Sequence, residues 1–318
     1  MNNNNQVLTA YRLPLTAYIH VDNLTKSYNN VEAVKRVSFS VQKGEIFGLI
    51  GPDGAGKTSI FRILTTLLLP DSGTASVLGF DAVTDFRQIR KEVGYMPGRF
   101  SLYQDLSIEE NLNFYATLFG TTIEENFHLI RDIYVQIEPF KKRRAGQLSG
   151  GMKQKLALCC ALIHKPRVLF LDEPTTGIDP VSRKELWEML RKLKSEDIAI
   201  LASTPYMDEA LQCDRIGLIK NGEIMTIDTP RHLVESFDKP LYAVSADNIY
   251  HLLQALEKYP RRINSYAFGE KAHAVFSGTE QELYEFLSTT DLKNIEIKKI
   301  KPTVEDCFIE LSMGNGGL

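Results

Sequence analysis

Residues 51–58 read Gly51-Pro52-Asp53-Gly54-Ala55-Gly56-Lys57-Thr58, and this stretch decides the fold. It matches the pattern G-x-x-x-x-G-K-[ST], in which glycines let backbone N–H groups approach phosphate oxygens without a clash from Cβ. The residues before it, Glu45–Ile50, predict a buried strand, and those after it predict a helix over Ser59–Leu69 that stops at Pro70. Because the N-terminus of a helix favours negative charge, this strand–loop–helix unit predicts a phosphate site.

Two side chains of the loop carry the chemistry. Lys57 can reach the β and γ phosphates of a nucleotide, and the Thr58 hydroxyl can hold Mg²⁺. The alternative is a tight strand-to-helix turn without a ligand. Chance alone produces the pattern in about one chain in a hundred of this length, and here it also has the expected strand and helix around it. The phosphate-binding interpretation is therefore preferred.

A second apolar strand, Val168–Leu171, runs into two carboxylates, Asp172 and Glu173. Asp172, at the strand tip, is expected to position Mg²⁺ through the coordination shell of the ion. Glu173 is expected to orient and deprotonate an attacking water. The alternative for adjacent carboxylates at a strand end is a solvated turn. The phosphate loop elsewhere in the chain favours nucleotide hydrolysis.

Composition excludes several classes of protein. The chain has 318 residues, of which 43% are hydrophobic and 24% charged, the balance of a soluble globular protein with room for two domains. The net charge of −3 gives no basic excess for nucleic-acid binding. No apolar run approaches the roughly 18–20 residues of a membrane span, and the first residues lack the pattern of a signal peptide. The sequence thus predicts a protein that neither spans a membrane nor is secreted, with its four cysteines reduced.

The pattern of elements predicts an α/β chain with two folded parts. Residues 1–17 are expected to form a flexible N-terminal tail, residues 18–238 a sheet domain with a helical part at about 99–164, and residues 239–318 a small C-terminal α+β domain. The Leu67–Leu69 run is expected in the core. The small domain shows the order of a ferredoxin-like fold, with strand 241–246, helix 248–258, strands 262–268 and 271–277, helix 279–288 and strand 293–300.

A third motif identifies a family. The stretch Leu148-Ser149-Gly150-Gly151-Met152 resembles the LSGGQ signature of ATP-binding cassette (ABC) ATPases, with Met152 in place of Gln. The resemblance covers roughly residues 19–235. It implies the P-loop NTPase cassette fold, a mixed sheet core with a helical subdomain, and a sandwich of two cassettes. In that sandwich ATP lies between the phosphate loop of one subunit and the signature of the other.

The resemblance assigns roles residue by residue. Tyr28 is similar to the aromatic residue that stacks on adenine, and Gly177-Ile178-Asp179 to the D-loop that crosses the dimer interface. It implies catalytic roles for Glu173 and Lys57, and Mg²⁺ ligation by Thr58 and Asp172. The implied contacts to ATP are Tyr28, Gly51, Pro52, Asp53, Gly54, Ala55, Gly56, Lys57, Thr58, Ser59, Ser149, Gly150, Gly151 and Asp179.

The chain departs from the family pattern at two positions. Gly98 stands where the family has a glutamine that contacts the Mg²⁺ site, and Pro205 where it has a histidine near the γ-phosphate. Gln104 is a candidate substitute for the missing glutamine. Loss of one electrostatic or proton-handling group costs about 10²–10⁴ in rate, so ATP binding is expected to survive and hydrolysis to be slow.

The expected function is the ATP-binding motor subunit of an ABC exporter. The segment Lys301–Leu311 resembles the ending of drug-export ATPases, and the phosphate loop resembles that of N-terminal cassettes in tandem drug exporters. The resemblance implies a separate integral-membrane permease and a second cassette as partners, on the cytoplasmic face of the cell membrane. Because Gly98 and Pro205 depart from the family pattern while the signature is kept, the expected second cassette is a different chain, with a homodimer as the alternative. The alternatives are a regulatory cassette with little hydrolysis that completes a partner's site, and a soluble ABC ATPase without a transport role.

Overall fold

The computed structural model describes residues 17–314. The predicted flexible tail, residues 1–17, therefore lies outside the described residues except for Ala17. The chain divides into two compact units on either side of the Pro230–Arg231 bond. The predicted domain boundary, between residues 238 and 239, lies in the segment that follows helix α7 (Pro230–Glu235).

Two sheets form the strand framework of the first unit. One is antiparallel with the order β2-β1-β4-β5, and the other has six strands in the order β10-β9-β3-β8-β7-β6. In the second sheet, β9, β3, β8, β7 and β6 are parallel, and β10 pairs antiparallel with β9. The strands are β1 (Ala17–Tyr28), β2 (Val31–Gln42), β3 (Ile46–Ile50), β4 (Ser72–Val77), β5 (Phe80–Asp81), β6 (Val93–Met96), β7 (Val168–Asp172), β8 (Ala199–Thr204), β9 (Arg215–Lys220) and β10 (Glu223–Asp228).

The parallel sheet explains why the motifs of the sequence converge. Every residue of β3 and β7 is buried, as expected for central strands that are covered on both faces. The carboxyl ends of β3, β7 and β8 lie at the same edge, which is where parallel sheets bind ligands. The phosphate loop follows β3 and the two carboxylates end β7, so the fold brings them together.

Helices flank this sheet and fill the segment between β6 and β7. They are α1 (Lys57–Leu64), α2 (Phe86–Glu92), α3 (Ile108–Leu118), α4 (Phe127–Ile137), α5 (Gly150–Leu162) and α6 (Pro180–Lys194). Helices α3, α4 and α5 lie between β6 and β7 together with two short 3-10 helices. Residues 99–164 are therefore mainly helical. In the described part of the chain, no helix combines the length and apolarity needed to cross a membrane. The predicted α/β class, a mixed sheet core with a helical part, is confirmed.

The predicted helix over Ser59–Leu69 is wrong at both ends. The helix α1 begins two residues earlier, at Lys57, and ends at Leu64. Thr66 adopts a left-handed backbone with φ of 63°, and the N–H groups of Leu67 and Leu68 turn back to the carbonyl of Arg62. The expectation that the leucine run lies in the core is wrong for Leu67 and Leu69, which are exposed, whereas the partly buried Leu68 packs against the core.

The second unit has the predicted strand and helix order. Its four strands form an antiparallel sheet in the order β12-β13-β11-β14, which is the ferredoxin-like arrangement. Helices α8 and α9 supply Leu252, Leu256, Leu283 and Leu287 to a core shared with the sheet residue Phe276. The elements are β11 (Leu241–Ser245), α8 (Ile249–Glu257), β12 (Arg262–Phe268), β13 (Lys271–Phe276), α9 (Glu280–Ser288), β14 (Glu296–Ile300) and α10 (Val304–Gly314).

A buried carboxylate ties α10 to the sheet within this unit. Asp306, which is completely buried, accepts hydrogen bonds at Oδ1 from the Tyr266 hydroxyl and from His273 Nδ1, both at 2.6 Å. Its Oδ2 accepts from the backbone N–H of Thr303 at 2.6 Å and from the Thr303 hydroxyl at 2.7 Å. The acidic residue in the C-terminal motif therefore has a local structural role.

Candidate active site

Close backbone packing requires glycine at two positions of the phosphate loop. A Cβ at Gly51 would lie 2.0 Å from the carbonyl oxygen of Ile219. At Gly56, φ is 101° and a Cβ would lie 2.2 Å from the carbonyl oxygen of Ala33. Gly56 also precedes α1 as an N-cap that offers no side chain, so no protein side chain caps the first N–H groups of the helix. The loop thus leaves these donors to an anion.

Lys57 is held inside the loop by three oxygens. Its side chain is buried, and Nζ donates to the carbonyls of Gly51 at 2.7 Å and Pro52 at 3.0 Å. The third partner is Glu173, whose Oε1 lies 3.4 Å from Nζ. Two of the three N–H bonds of the ammonium group are thus used by backbone carbonyls, and the contact with Glu173 is an ion pair. The predicted lysine and the predicted base therefore contact each other directly.

The two carboxylates at the end of β7 are anchored by β8. Asp172 is buried, and its Oδ1 accepts a hydrogen bond of 2.6 Å from the Ser203 hydroxyl. The N–H of Glu173 donates to the same hydroxyl at 2.9 Å. Glu173 has φ of 52°, a left-handed conformation that is unfavourable for a non-glycine residue, and it points its carboxylate towards Lys57.

The remaining predicted contacts of the loop surround α1. Thr58 is exposed at the first turn of the helix, where its hydroxyl is open to a ligand. The Tyr28 hydroxyl lies 3.2 Å from Ser59 Oγ, so the tyrosine stands beside that turn with its ring partly exposed. Of the other loop residues, Ala55 is buried and its N–H donates to the Pro52 carbonyl, whereas Pro52, Asp53 and Gly54 are exposed. The structure brings these residues to one end of the sheet.

Gly98 lies directly against the carboxylates. A Cβ at this position would be 3.1 Å from the carbonyl oxygen of Asp172 and 3.8 Å from Cβ of Glu173. Gln104, the candidate substitute, contacts a different segment. Its backbone carbonyl accepts a 2.9 Å hydrogen bond from the N–H of Gly146. At the other departure, Pro205 follows Thr204 at the end of β8.

The signature residues open α5 next to the D-loop segment. Ser149 caps the helix, because its hydroxyl accepts from the N–H of Met152 at 3.3 Å. A Cβ at Gly150 would lie 3.2 Å from the carbonyl of Gly177, and one at Gly151 would lie 3.3 Å from Ser182 Oγ. Among the described residues, no hydrogen bond or ion pair joins Ser149, Gly150 or Gly151 to the loop 51–58. These residues form a second region, apart from the phosphate loop.

The Asp179 carboxylate makes its hydrogen bonds within the protein. It caps α6, and its carboxylate accepts from the N–H groups of Val181 and Ser182, both at 3.0 Å, and from the Ser182 hydroxyl at 2.7 Å. The backbone N–H and the hydroxyl of Ser182 keep the pKa of Asp179 below its usual value. Its predicted contact to the nucleotide stays a prediction.

The chemistry of the site fits Mg²⁺ held jointly by protein and phosphate. In residues 17–314, no group of three or more His, Cys, Asp or Glu side chains forms a metal site by itself. A threonine hydroxyl and a buried carboxylate are oxygen ligands of the kind that Mg²⁺ uses together with substrate phosphates. Thr58 and Asp172 are such a pair.

Sequence reasoning missed Ser203, which holds Asp172 and Glu173 through its hydroxyl. The residue ends an apolar strand without any motif of its own. Its signal lies in the sheet: β7 and β8 are parallel neighbours, and Asp172 pairs in register with Ser203. Polar residues at the ends of adjacent parallel strands are therefore candidates for contacts with a site.

An apolar cavity of about 500 Å³ lies beside β6 in the first unit. Its lining includes Tyr95, Met96, Leu102, Leu118 and Phe119. His164 lines it too, stacked on Phe119 with ring centroids 3.7 Å apart and with Nε2 3.1 Å from the Val93 carbonyl. Burial lowers the pKa of His164 to about 4, so the ring is neutral near pH 7. The charged residues of the lining are Arg90 and Lys91.

Comparisons with known proteins agree with this geometry. Residues 34–176 match the profile of the family described as ABC transporter. The chain is 38% identical over 306 residues to the probable multidrug ABC transporter ATP-binding protein YbhF of Escherichia coli, a match that covers 94% of this chain and 53% of that protein. The chain thus spans about half the length of that relative.

Other relatives match over most of their own length. The Nod factor export ATP-binding protein I of Rhizobium sp. is 33% identical over 92% of this chain and 96% of the relative, and that of Sinorhizobium fredii is 34% identical over 92% and 85%. A solved ATP-binding subunit of an ABC transporter superposes with a TM-score of 0.64 at 27% identity, covering 69% of this chain and 93% of the other. A bacterial ABC transporter cassette, solved as a dimer, gives a TM-score of 0.61 at 25% identity and covers 66% and 98%.

Proposed function

The chain belongs to the ABC transporter ATP-binding family, and from this premise we propose that it is the ATP-binding motor subunit of an exporter. The observation that carries the proposal is the contact between Lys57 and Glu173 beside the buried Asp172. In this contact a candidate phosphate-binding cation and a candidate base lie beside a candidate Mg²⁺ ligand, at one end of one sheet, and this supports the proposal. Relatives named as a probable multidrug ABC transporter ATP-binding protein and as Nod factor export ATP-binding proteins support the transport role.

ATP binding follows from the loop. The uncapped N–H groups of α1 and the Lys57 ammonium are the donors that bind phosphate oxygens. Phosphate competes for Lys57 with the Gly51 and Pro52 carbonyls and with Glu173. Binding therefore releases Glu173 from its ion pair. Tyr28 is positioned beside the same turn of α1 to stack on the base.

Hydrolysis uses the released carboxylate. Glu173 orients the attacking water and takes its proton, while Lys57 stabilises the charge that develops on the transferred phosphoryl group. Thr58 and Asp172 hold Mg²⁺, which neutralises phosphate charge when it is bound. Gly98 and Pro205 offer no side-chain donor at the positions where the family pattern has glutamine and histidine. We therefore expect slow turnover at this site.

A second cassette completes the arrangement. Ser149, Gly150 and Gly151 are separate from the phosphate loop of their own chain, and Ser149 and Gly150 are exposed. The N–H groups of α5 are consequently available to a nucleotide held by another subunit. Because the signature is intact while Gly98 and Pro205 weaken the chain's own site, the proposed partner is a different cassette with its own glutamine and histidine.

The permease is proposed to dock at the apolar cavity beside β6. Leu67 and Leu118, which are 58% and 62% exposed, line it together with buried apolar residues, and a contiguous apolar surface of this kind is typical of a protein-interaction site. Leu102, which lines the cavity, lies four residues after Gly98, and Gly98 packs against the backbone of Asp172. A movement of Asp172 can therefore reach the docked permease through this short segment. In this proposal the chain works at the cytoplasmic face of the membrane.

Binding and turnover by the purified full chain test the proposal. Fluorescent ATP is expected to bind the wild type, and Lys57→Ala is expected to lose at least about tenfold in affinity because a phosphate-binding cation is removed. Lys43→Ala is the matched control, since Lys43 forms an exposed ion pair with Asp197. Equal affinity in the wild type and Lys57→Ala contradicts the proposed site.

The second candidate is a regulatory cassette that completes a partner's site without useful hydrolysis. Gly98 and Pro205 favour it, and Glu173 favours residual catalysis. Glu173→Gln in the assembled complex separates the two, because unchanged transport and ATPase activity would assign catalysis to the partner alone. A tagged chain recovered from membranes without any permease would instead favour the third alternative, an ABC ATPase without a transport role.

A further inference from the structure

Glu209 is a buried carboxylate that the proposed chemistry leaves unused. It lies in the 3-10 helix Met207–Gln212 after β8 and is 2% exposed. Its Oε2 accepts hydrogen bonds from the hydroxyls of Thr204 at 2.5 Å and Thr175 at 3.0 Å. Its Oε1 lies 3.4 Å from Nε of Arg183, an ion pair without hydrogen-bond alignment.

Each partner of Glu209 belongs to a segment that carries a site residue. Thr175 is two residues after Glu173. Thr204 directly follows Ser203, the residue that holds Asp172. Arg183 lies in the first turns of α6, the helix that Asp179 caps. One buried side chain thus connects the ends of β7 and β8 with the start of α6.

The same cluster holds Pro205, which stands where the family pattern has a histidine. The N–H of Tyr206 donates to the Thr204 hydroxyl at 3.1 Å, and the Arg183 guanidinium lies 4.2 Å from the centre of the Tyr206 ring. Pro205 is therefore held between two anchored residues. The loop after β8 is thus anchored by side chains of its own chain.

A buried ion pair of this kind is poorly explained by stability alone. Removing two charges from water costs several kcal/mol, and well-packed apolar residues in their place are often as stable or more stable. A carboxylate that accepts from two hydroxyls and faces a guanidinium does, however, fix directions, since each partner must keep its angle. The geometry is that of an orienting group.

We propose that Glu209 is a positioning residue that holds Asp172 and Glu173 in the orientation needed for hydrolysis. It acts through Thr175, Thr204 and Ser203 and does not touch the nucleotide. This role rests on the proposed function as an ATPase. A displacement of about 1 Å at reacting groups can cost about 10²-fold in rate, so its loss affects turnover and leaves nucleotide affinity unchanged.

The decisive variant replaces both charges, as Glu209→Leu with Arg183→Met in the full chain. Removing both avoids an unpaired buried charge, and a thermal melt checks that the fold persists. Fluorescent ATP reports affinity without Mg²⁺, and single-turnover hydrolysis of radiolabelled ATP with Mg²⁺ reports the rate. We expect affinity within about twofold of the wild type and a rate lower by about 10²-fold.

Two further variants separate positioning from packing. Glu209→Gln keeps an oxygen for both hydroxyls, so it is expected to lose less than about tenfold in rate. Lys192→Met, on the same helix α6, removes an exposed ion pair with Asp132 and is the control for general effects of altering α6. If the double variant melts far below the wild type, Thr204→Val and Thr204→Ser provide the comparison, because only the serine keeps the hydroxyl.

The outcomes distinguish this role from the proposed function. A wild-type chain that binds no ATP contradicts the proposed function itself. A wild-type chain that binds and hydrolyses ATP no faster than the double variant, at equal affinity, overturns only the positioning role. A double variant that loses affinity and rate in proportion also overturns it, because Glu209 would then shape the binding site.

Discussion

Two buried aspartates, Asp172 in the first unit and Asp306 in the second, are satisfied to very different degrees. Asp306 accepts four hydrogen bonds from three residues, which uses both of its oxygens. Asp172 accepts a single hydrogen bond, from Ser203, among those of the described residues. Both carboxylates are almost inaccessible to water, at 0% and 3% exposure. Burial alone therefore does not distinguish them.

The difference shows how a structural carboxylate and a functional one can be told apart. An ionised carboxylate offers about four acceptor sites, and Asp306 has all of them occupied by its own chain. Asp172 keeps sites for a ligand and is followed by Glu173 in a strained backbone conformation. We infer that Asp306 contributes to stability and Asp172 to activity, and the predictions below test this division.

The largest effect is expected from Asp172→Asn. The amide keeps an oxygen for the Ser203 hydroxyl, so folding is expected to survive, but the negative charge for Mg²⁺ is lost. Single-turnover hydrolysis should fall by about 10²–10⁴. A thermal melt alongside the rate measurement provides the comparison, and a large fall in melting temperature with normal turnover would reverse the assignment.

Asp306→Ala should show the opposite pattern. It leaves the buried His273 and the partly buried Tyr266 without their acceptor, and each buried donor left unsatisfied costs about 1–3 kcal/mol. Chemical denaturation should show the loss, while the affinity for fluorescent ATP stays that of the wild type. Glu296→Ala, an exposed strand position, serves as the control and should change the free energy of unfolding by less than about 0.5 kcal/mol.

Acid should weaken the second unit through the same carboxylate. Burial alone would raise the pKa of Asp306, but hydrogen bonds from His273, Tyr266 and Thr303 lower it to about 2. A lowered pKa adds stability that is present above the unfolded value near 3.8 and is lost as the pH falls towards 2. The contribution is about 2 kcal/mol. Denaturation at pH 5 and pH 2 should show it in the wild type but not in Asp306→Ala.

The smallest effect is a gain, from restoring a side chain beside Asp172. Gly98→Gln combined with Pro205→His should raise single-turnover hydrolysis about tenfold, since each returned group handles charge near the phosphate. A Cβ at Gly98 lies 3.1 Å from the Asp172 carbonyl, so a shift of a few tenths of an ångström admits it. Gly98→Ala is the matched control without the amide. A gain in that control would assign the effect to packing.

The sequence predicted what local patterns encode. The glycine loop, the apolar strand before Asp172 and Glu173, and the element order of the second unit are all readable over short stretches, and the structure contains them. The predicted end of α1 is wrong because Thr66 adopts a left-handed conformation just after the helix. Threonine is not a typical residue for that conformation, so the sequence gives no sign of the turn. Ser203 and Glu209 were missed since their contacts join residues about thirty positions apart. Only the pairing of parallel strands brings such residues together.

The strained backbone at Glu173 has a consequence for which residues suit this position. Asparagine or glycine adopts a φ of 52° at lower cost than glutamate does, so Glu173→Asn or Glu173→Gly would relieve backbone strain. Backbone fit therefore does not explain a glutamate at this position. A task for its carboxylate does, and in the proposed function that task is to orient and deprotonate water.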